Sequence, residues 1–406
     1  MDRWTAGPVD GWTDIQVDMS ESASVSARAA QRWAHGHPWL FRSDVTVRPD
    51  RPAGAVTVLD HRRKPIGTAL WSPTSEIALR MVDADPNARL DTAWWRDRIG
   101  AAAKRRDSLA GITNAFRLVH AESDGCPSFV CDRYNRWLVV QLLSAGLEAF
   151  RTEIVAALHD VAAPDGILAR NDVAVRKREG LSETVELLTG DVPREIEVDE
   201  HGVRYLAAPW TGQKTGAFLD QRENRVLIGS LARGRALDCF SYHGSFALHL
   251  ARRAASVVAV DVSGDALRRA EENAARNALT NVTFVEADVF DYLREIERSR
   301  ERFDTIVVDP PAFAKSRASV PAALRGYKDV NLRAMRVLAP GGVLFTASCS
   351  FHVGRAAFLE MLQSAAADSG RRLALRSFTG QPSDHPELLT IPETGYLKGA
   401  VLQAVD

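Results

Sequence analysis

Residues 235–261 read RALDCFSYHGSFALHLARRAASVVAVD, and this stretch decides the fold. Ala236 to Phe240 is a short apolar run of strand length, and Ser241 to Ser245 is a turn around one glycine. Phe246 to Arg253 then places apolar residues at helical spacing. Val257-Val258-Ala259-Val260 is a second apolar run, stopped by Asp261. Strand, glycine turn, helix, strand and closing acid make one βαβ unit. Such units bind ligands outside the carboxyl ends of their strands. An acid closing the second strand is placed to accept both hydroxyls of a ribose. The turn has only Gly244 where a dinucleotide fingerprint has three glycines, so a pyrophosphate fits poorly. The pattern favours a nucleoside without phosphates, and S-adenosylmethionine (SAM) is the obvious one.

Three more runs extend the sheet. Val282 to Val289 predicts a third strand ending at Asp288, and Asp304 to Val308 a fourth, ending in Asp309-Pro310-Pro311. Val343 to Ser350 predicts a fifth, with Cys349 between Ser348 and Ser350. Four successive strand ends therefore carry acid, acid, acid and thiol. Packing alone would select apolar residues or turn formers there, so the expectation is a lined cleft.

Asp238-x-Phe240…Gly244-x-Phe246, Asp261, Asp288, Asp309-Pro310-Pro311 and Ser348-Cys349-Ser350 together resemble class I SAM-dependent RNA methyltransferases. More closely, the chain resembles the bacterial 5-methylcytosine methyltransferases of large-subunit (23S) ribosomal RNA. His37-Pro38-Trp39-Leu40-Phe41, Gly212-Gln213-Lys214-Thr215-Gly216, Leu219-Asp220-Gln221-Arg222, Arg325-Gly326-Tyr327-Lys328-Asp329 and Tyr396-Leu397-Lys398-Gly399 carry the same resemblance in order. It implies an α/β chain whose C-terminal Rossmann-like class I methyltransferase domain spans 194–406. A PUA-like, RNA-binding β-barrel is expected at 22–86. A linker helix with a small α+β (EEHEE) domain is expected at 87–193, and a loose extension at 1–21.

The resemblance further implies that SAM is held by Asp238, Phe240, Gly244, Phe246 and Asp261, then by Ser263, Asp288 and Val289. Gln213, Phe218 and Arg222 are expected beside SAM or the target base. Carbon 5 of cytosine is a poor nucleophile until a thiolate adds at carbon 6, which divides one hard step into two. Cys349 is the candidate thiolate, and Asp309 the candidate for protonating ring N3, with Pro310 beside the base. Cys239, inside its strand, is expected to be a small buried hydrophobe. Two-cysteine cytosine enzymes carry a second cysteine after the motif's proline. Here Pro311 and Ala312 follow, leaving the elimination step without an assigned base. His243 is a candidate contact for the methionine moiety, or an exposed turn residue. Two rival readings are methylation of a guanine nitrogen in the same RNA and a non-catalytic RNA-binding or ribosome-assembly role.

Composition sets outer bounds. A chain of 406 residues with 46% hydrophobic content can fill more than one core. Its formal charge of −1 means that RNA contact must come from local patches. Candidates are His61-Arg62-Arg63-Lys64, the cluster Arg170, Arg176, Lys177 and Arg178, and Lys315, Arg325 and Lys328. Four scattered cysteines suit a reducing, cytoplasmic setting, and Cys126 and Cys131 lack zinc-ligand neighbours, so no metal is expected. No apolar run approaches the roughly 20 residues of a membrane helix, so no membrane partner is expected. The expected partner is ribosomal RNA or a ribosomal subunit precursor. The oligomeric state is open, a homodimer being one option.

Overall fold

The computed structural model describes residues 21–406, so the extension expected at 1–21 lies, but for Glu21, outside the described residues. Residues 22–83 build a six-stranded sheet: β1 (Ser22–Val25), β2 (Trp39–Leu40), β3 (Val45–Val47), β4 (Gly54–Leu59), β5 (Pro65–Trp71) and β6 (Leu79–Asp83). Their order is β2-β6-β5-β4-β1-β3. One helix, α1 (Ala27–Ala34), lies between β1 and β2 in the stretch expected to be a β-barrel. Ser26 caps it by accepting from the Ala29 backbone N–H, which satisfies a donor that has no partner inside the helix.

A second sheet follows α2 (Thr92–Lys104), whose cap is Asp91. It comprises β7 (Ala115–His120), β8 (Phe129–Tyr134), β9 (Trp137–Leu142), β10 (Gly166–Arg170) and β11 (Val185–Gly190), in order β11-β10-β9-β8-β7. The short α3 (Ala145–Glu148), α4 (Arg151–Ala162) and the short α5 (Val175–Arg178) lie between its strands in sequence. Trp95 and Ile99 of α2 pack with Ile154 and Leu158 of α4 over Phe129 and Leu138. The hairpin β12 (Ile196–Glu200) and β13 (Val203–Ala207) turns at His201-Gly202. Its Ile196, Val198 and Tyr205 share one core with Tyr134 and Leu168 on one side and Leu248 on the other, so it cements the second sheet to the third.

The third sheet holds the site. Its elements are α6 (Arg222–Leu231), β14 (Arg235–Cys239), α7 (Ser245–Ala251), β15 (Ser256–Asp261), α8 (Gly264–Arg276), β16 (Val282–Glu286), α9 (Val289–Ser299), β17 (Phe303–Val308), α10 (Val320–Val337), β18 (Leu338–Ser348), α11 (Arg355–Ser369), β19 (Leu373–Thr379) and β20 (Lys398–Ala404). The strand order is β16-β15-β14-β17-β18-β20-β19. The first five strands pair in parallel, and β20 runs antiparallel between β18 and β19. Order reverses between β14 and β17, which opens the crevice where open α/β sheets bind ligands. Alternate residues feed two cores. Leu237, Cys239, Ile306 and Val308 pack under α9–α11, while Ala236, Val257 and Val307 pack with α6 and α7. Cys239 is fully buried in the first of these.

Buried and half-buried polar contacts fasten the first sheet to the rest of the chain. Arg80 of β6 pairs with Glu179 at 2.8 Å, and Ser75 Oγ donates to the same carboxylate at 2.5 Å. Trp39 Nε1 donates to Glu122, and His37 Nε2 lies 3.2 Å from Glu393. These two residues of the His37–Phe41 block therefore tie the first sheet to the rest of the chain. Among the described residues, no helix is long and apolar enough to cross a membrane.

Candidate active site

A cavity of about 410 Å³ opens at the carboxyl ends of β14, β15, β17 and β18. Its floor is the turn after β14. Phe240 (φ +63°), Tyr242 (φ +50°) and Gly244 (φ +83°) all take left-handed backbone there, so the chain coils tightly before α7 begins. Asp261 holds that coil: its Oδ2 accepts from Tyr242 N at 2.8 Å and its Oδ1 from Ser263 N at 2.9 Å. Each oxygen keeps a further lone pair, and Asp261 lines the cavity. Ser263 lines it too, while its hydroxyl caps α8 through Ala266 N.

Asp288 is not a strand end. β16 stops at Glu286, and Asp288 caps α9 by accepting from Phe290 N and Asp291 N, since a carboxylate suits a helix N-terminus. It still lines the cavity, as do Val289, Phe240, Phe246, Gln213 and Phe218. Asp238 and Gly244 do not. Asp238 is buried behind the wall, one oxygen accepting from Ala247 N and the other without a partner, and burial holds its carboxyl well above the usual range. Gly244 serves packing, because a Cβ there would stand 2.9 Å from the Ala270 Cβ.

Asp309 and Cys349 line the opposite end of the same cavity, with Pro310 between the strand and the loop. Gln221 Nε2 donates to Asp309 Oδ1 at 2.9 Å, and Asn224 orients Gln221 at 2.6 Å. Burial, reinforced by the negative charge of Asp220, pushes the Asp309 carboxyl up to about 7. Burial, reinforced by Asp309, pushes the Cys349 thiol up to about 11. Lys214 works against both shifts.

The structure corrects several expected contacts. Arg222 is buried and absent from the cavity wall; it forms a two-pronged pair with Asp384 at 2.7 and 3.0 Å. Lys328 pairs with Asp368 at 2.6 Å, away from the cavity. Lys315 and Arg325 are exposed on the segment after Pro311 and also lie outside the cavity wall. His243 is buried against Tyr205, ring centroids 5.3 Å apart, and burial pushes its imidazole down to about 4. Arg170 and Arg176 are internal ties too, bonding Pro209 O, Gly212 O and Leu142 O.

Sequence reading assigned no role to Lys214, Asp220 or Tyr396. Lys214 Nζ lies 2.5 Å from Asp220 Oδ2 and 4.7 Å from the Phe218 ring centre, and Tyr396 OH donates to the same Asp220 oxygen at 2.8 Å. The polar density of residues 213–222 was the available signal for Lys214 and Asp220. Tyr396 arrives from across the chain.

The cavity suits SAM. Lys214 pairs with Asp220 and Arg225 with Glu200, so Asp261 and Asp288 are left to favour a ligand that carries positive charge, as SAM does. Ser241 Oγ and Asp220 Oδ1 are buried in its wall without protein partners. Phe240, Phe246 and Val289 give apolar surface for a purine.

Residues 232–379 match the family described as "Methyltransferase domain", and residues 24–84 the "PUA-like domain". A PUA-like sheet ahead of a parallel sheet with an acid-lined crevice defines a class I SAM-dependent methyltransferase. Ribosomal RNA large subunit methyltransferase I of Pseudoalteromonas atlantica is 39% identical over 91% of this chain and 95% of its own length. Its namesake from Tolumonas auensis is 40% identical over 91% and 96%. A solved putative methyltransferase complexed with SAH superposes with a TM-score of 0.82 at 21% identity, over 94% of this chain and 99% of that one, a likeness of fold. The chain belongs to the ribosomal RNA large subunit methyltransferase I family.

Proposed function

We propose that this protein methylates carbon 5 of a cytosine in large-subunit ribosomal RNA through a covalent adduct on Cys349. The observation that carries this reading is the pairing of Cys349 with a high-pKa carboxyl, Asp309, at one end of a cavity whose other end suits SAM. The relatives' name supports the RNA. Bound SAM supplies the methyl group, with Asp261, Ser263 and Asp288 at its nucleoside end. The Cys349 thiolate forms a bond to carbon 6, and the π electrons shift onto carbon 5 and N3. Asp309, fixed by Gln221, gives its proton to N3 and so makes carbon 5 nucleophilic. After methylation the carbon 5 proton passes to water, the S–C6 bond breaks and frees the thiolate, and N3 returns its proton to Asp309. The base must leave its stack to reach the thiol, so a loop or single-stranded cytosine is favoured. In this reading residues 22–86 bind RNA, 87–193 space that module from the site, and exposed Lys315 and Arg325 meet phosphates.

RNA carrying 5-fluorocytosine at the target tests the step. Fluorine replaces the proton whose loss releases the enzyme, so an adduct stable to denaturing gel electrophoresis should accumulate. Cys349→Ala should abolish adduct and turnover while SAM still binds. Cys239→Ala should keep the adduct and cost mainly packing. A Cys349→Ala protein methylating at near the parent rate would end the covalent reading in favour of a guanine nitrogen.

A further inference from the structure

Asp220 is 2% exposed and lines the cavity at the end that holds Asp309 and Cys349. Its two oxygens differ. Oδ2 accepts from Lys214 Nζ at 2.5 Å and from Tyr396 OH at 2.8 Å, whereas Oδ1 is buried with no partner. A buried carboxylate oxygen left without a donor costs free energy comparable to a lost charged hydrogen bond. Neighbouring Lys214, close enough to hold the Asp220 carboxyl well below the usual range, keeps the group ionised and therefore acceptor-only. A ligand that brings a donor to this oxygen would complete it.

We infer that Asp220 Oδ1 accepts the exocyclic N4–H of the target cytosine and, together with Asp309 at N3, separates cytosine from uracil. The inference rests on the cytosine reading above. At the edge next to N3, cytosine presents an amine and uracil a carbonyl oxygen. Against a fixed carboxylate the amine completes the unmade bond, while the carbonyl meets a second acceptor. Asp309 and Asp220 thus divide the work: the first donates to N3, the second accepts from N4. A site with buried polar groups left unpaired by the wrong substrate can reject it by roughly 10⁴-fold.

Asp220→Asn makes the sharpest test because its geometry is forced. Lys214 and Tyr396 are both donors, so the amide must turn its oxygen toward them and its NH₂ into the cavity. That NH₂ suits the uracil carbonyl and opposes the cytosine amine. Synthetic RNA fragments carrying cytosine or uracil at the mapped position would be compared by kcat/KM, with SAM affinity by calorimetry as the check on folding. The variant should lose roughly 100-fold on cytosine and nothing further on uracil, so that the ratio between the two bases falls by about that factor. In the unaltered protein, N4,N4-dimethylcytosine, which has no N–H to give, should be rejected by a similar factor even if the variant does not fold. A cytosine-to-uracil ratio unchanged in Asp220→Asn, or dimethylcytosine methylated at the cytosine rate, overturns the inference. A wild-type product lacking 5-methylcytosine sinks instead the reading on which it rests.

Discussion

Burial raises Asp309 to about 7, reinforced by Asp220, and Cys349 to about 11, reinforced by Asp309, and the proposed chemistry joins these two groups as a pair. Below pH 7 the pair holds two protons, and above pH 11 none. Between those limits it holds one, and the productive arrangement has that proton on Asp309 and the charge on sulfur. The single-turnover rate of methyl transfer should therefore rise with pH through about 7 and stay level toward 11. Asp309→Asn cannot take the thiol proton, so its slower rate should instead climb across the alkaline range as the thiolate forms by itself. Superimposable pH profiles for the two proteins would show that the carboxyl and the thiol are not coupled. These two residues were legible because each ends an apolar run with a residue that packing would not choose. Arg222 was misread for the opposite reason. Its charge is answered by Asp384, 162 positions later, a distance that no local pattern reveals.

At the scale of one element, the turn between β14 and α7 joins packing to ligand binding. Gly244→Ala would put a Cβ 2.9 Å from Ala270 on a backbone of φ +83°, straining the turn and pushing α8 outward. Denaturant unfolding should report a loss of roughly 1–3 kcal/mol, and calorimetry a weaker SAM affinity; full affinity would mean that the coil does not shape the site. Asp261→Ala removes an acceptor from Tyr242 N and Ser263 N as well as from the proposed ribose contact. It should cost about 1–3 kcal/mol of stability together with SAM affinity, and unchanged affinity by calorimetry would remove Asp261 from the ribose. The parallel strands were readable because their apolar runs alternate with helical spacing at predictable lengths. β20 was not, since it slips between β18 and β19 only after a long irregular segment, and its pairing is non-local.

Across the whole molecule, the first sheet is joined to the second through a buried charge pair, Arg80 with Glu179. Glu179→Ala would leave Arg80 buried without its carboxylate, which typically costs about 3–5 kcal/mol. The thermal midpoint should fall clearly, and a Glu179→Leu, Arg80→Met pair should recover much of it; a surface-like loss of a few tenths would mean that the first sheet is only loosely joined. RNA contact by that sheet is better tested at its exposed β4–β5 turn than by deleting it. Replacing Arg62, Arg63 and Lys64 with alanine should flatten the salt dependence of RNA binding by up to roughly 0.7–0.9 for each phosphate no longer neutralised. An unchanged slope would place the phosphates elsewhere. The segment carrying Asp384, Tyr396 and Leu397 has a consequence for synthesis. It supplies the counter-charge of Arg222, a donor to Asp220 and part of the cavity wall, yet it leaves the ribosome after nearly everything it completes. A nascent chain stalled after residue 379 should fail to retain SAM, whereas the whole chain on an added tether should hold it. The order of translation would then set the order of assembly: the pocket closes only after residues 384–397 have emerged.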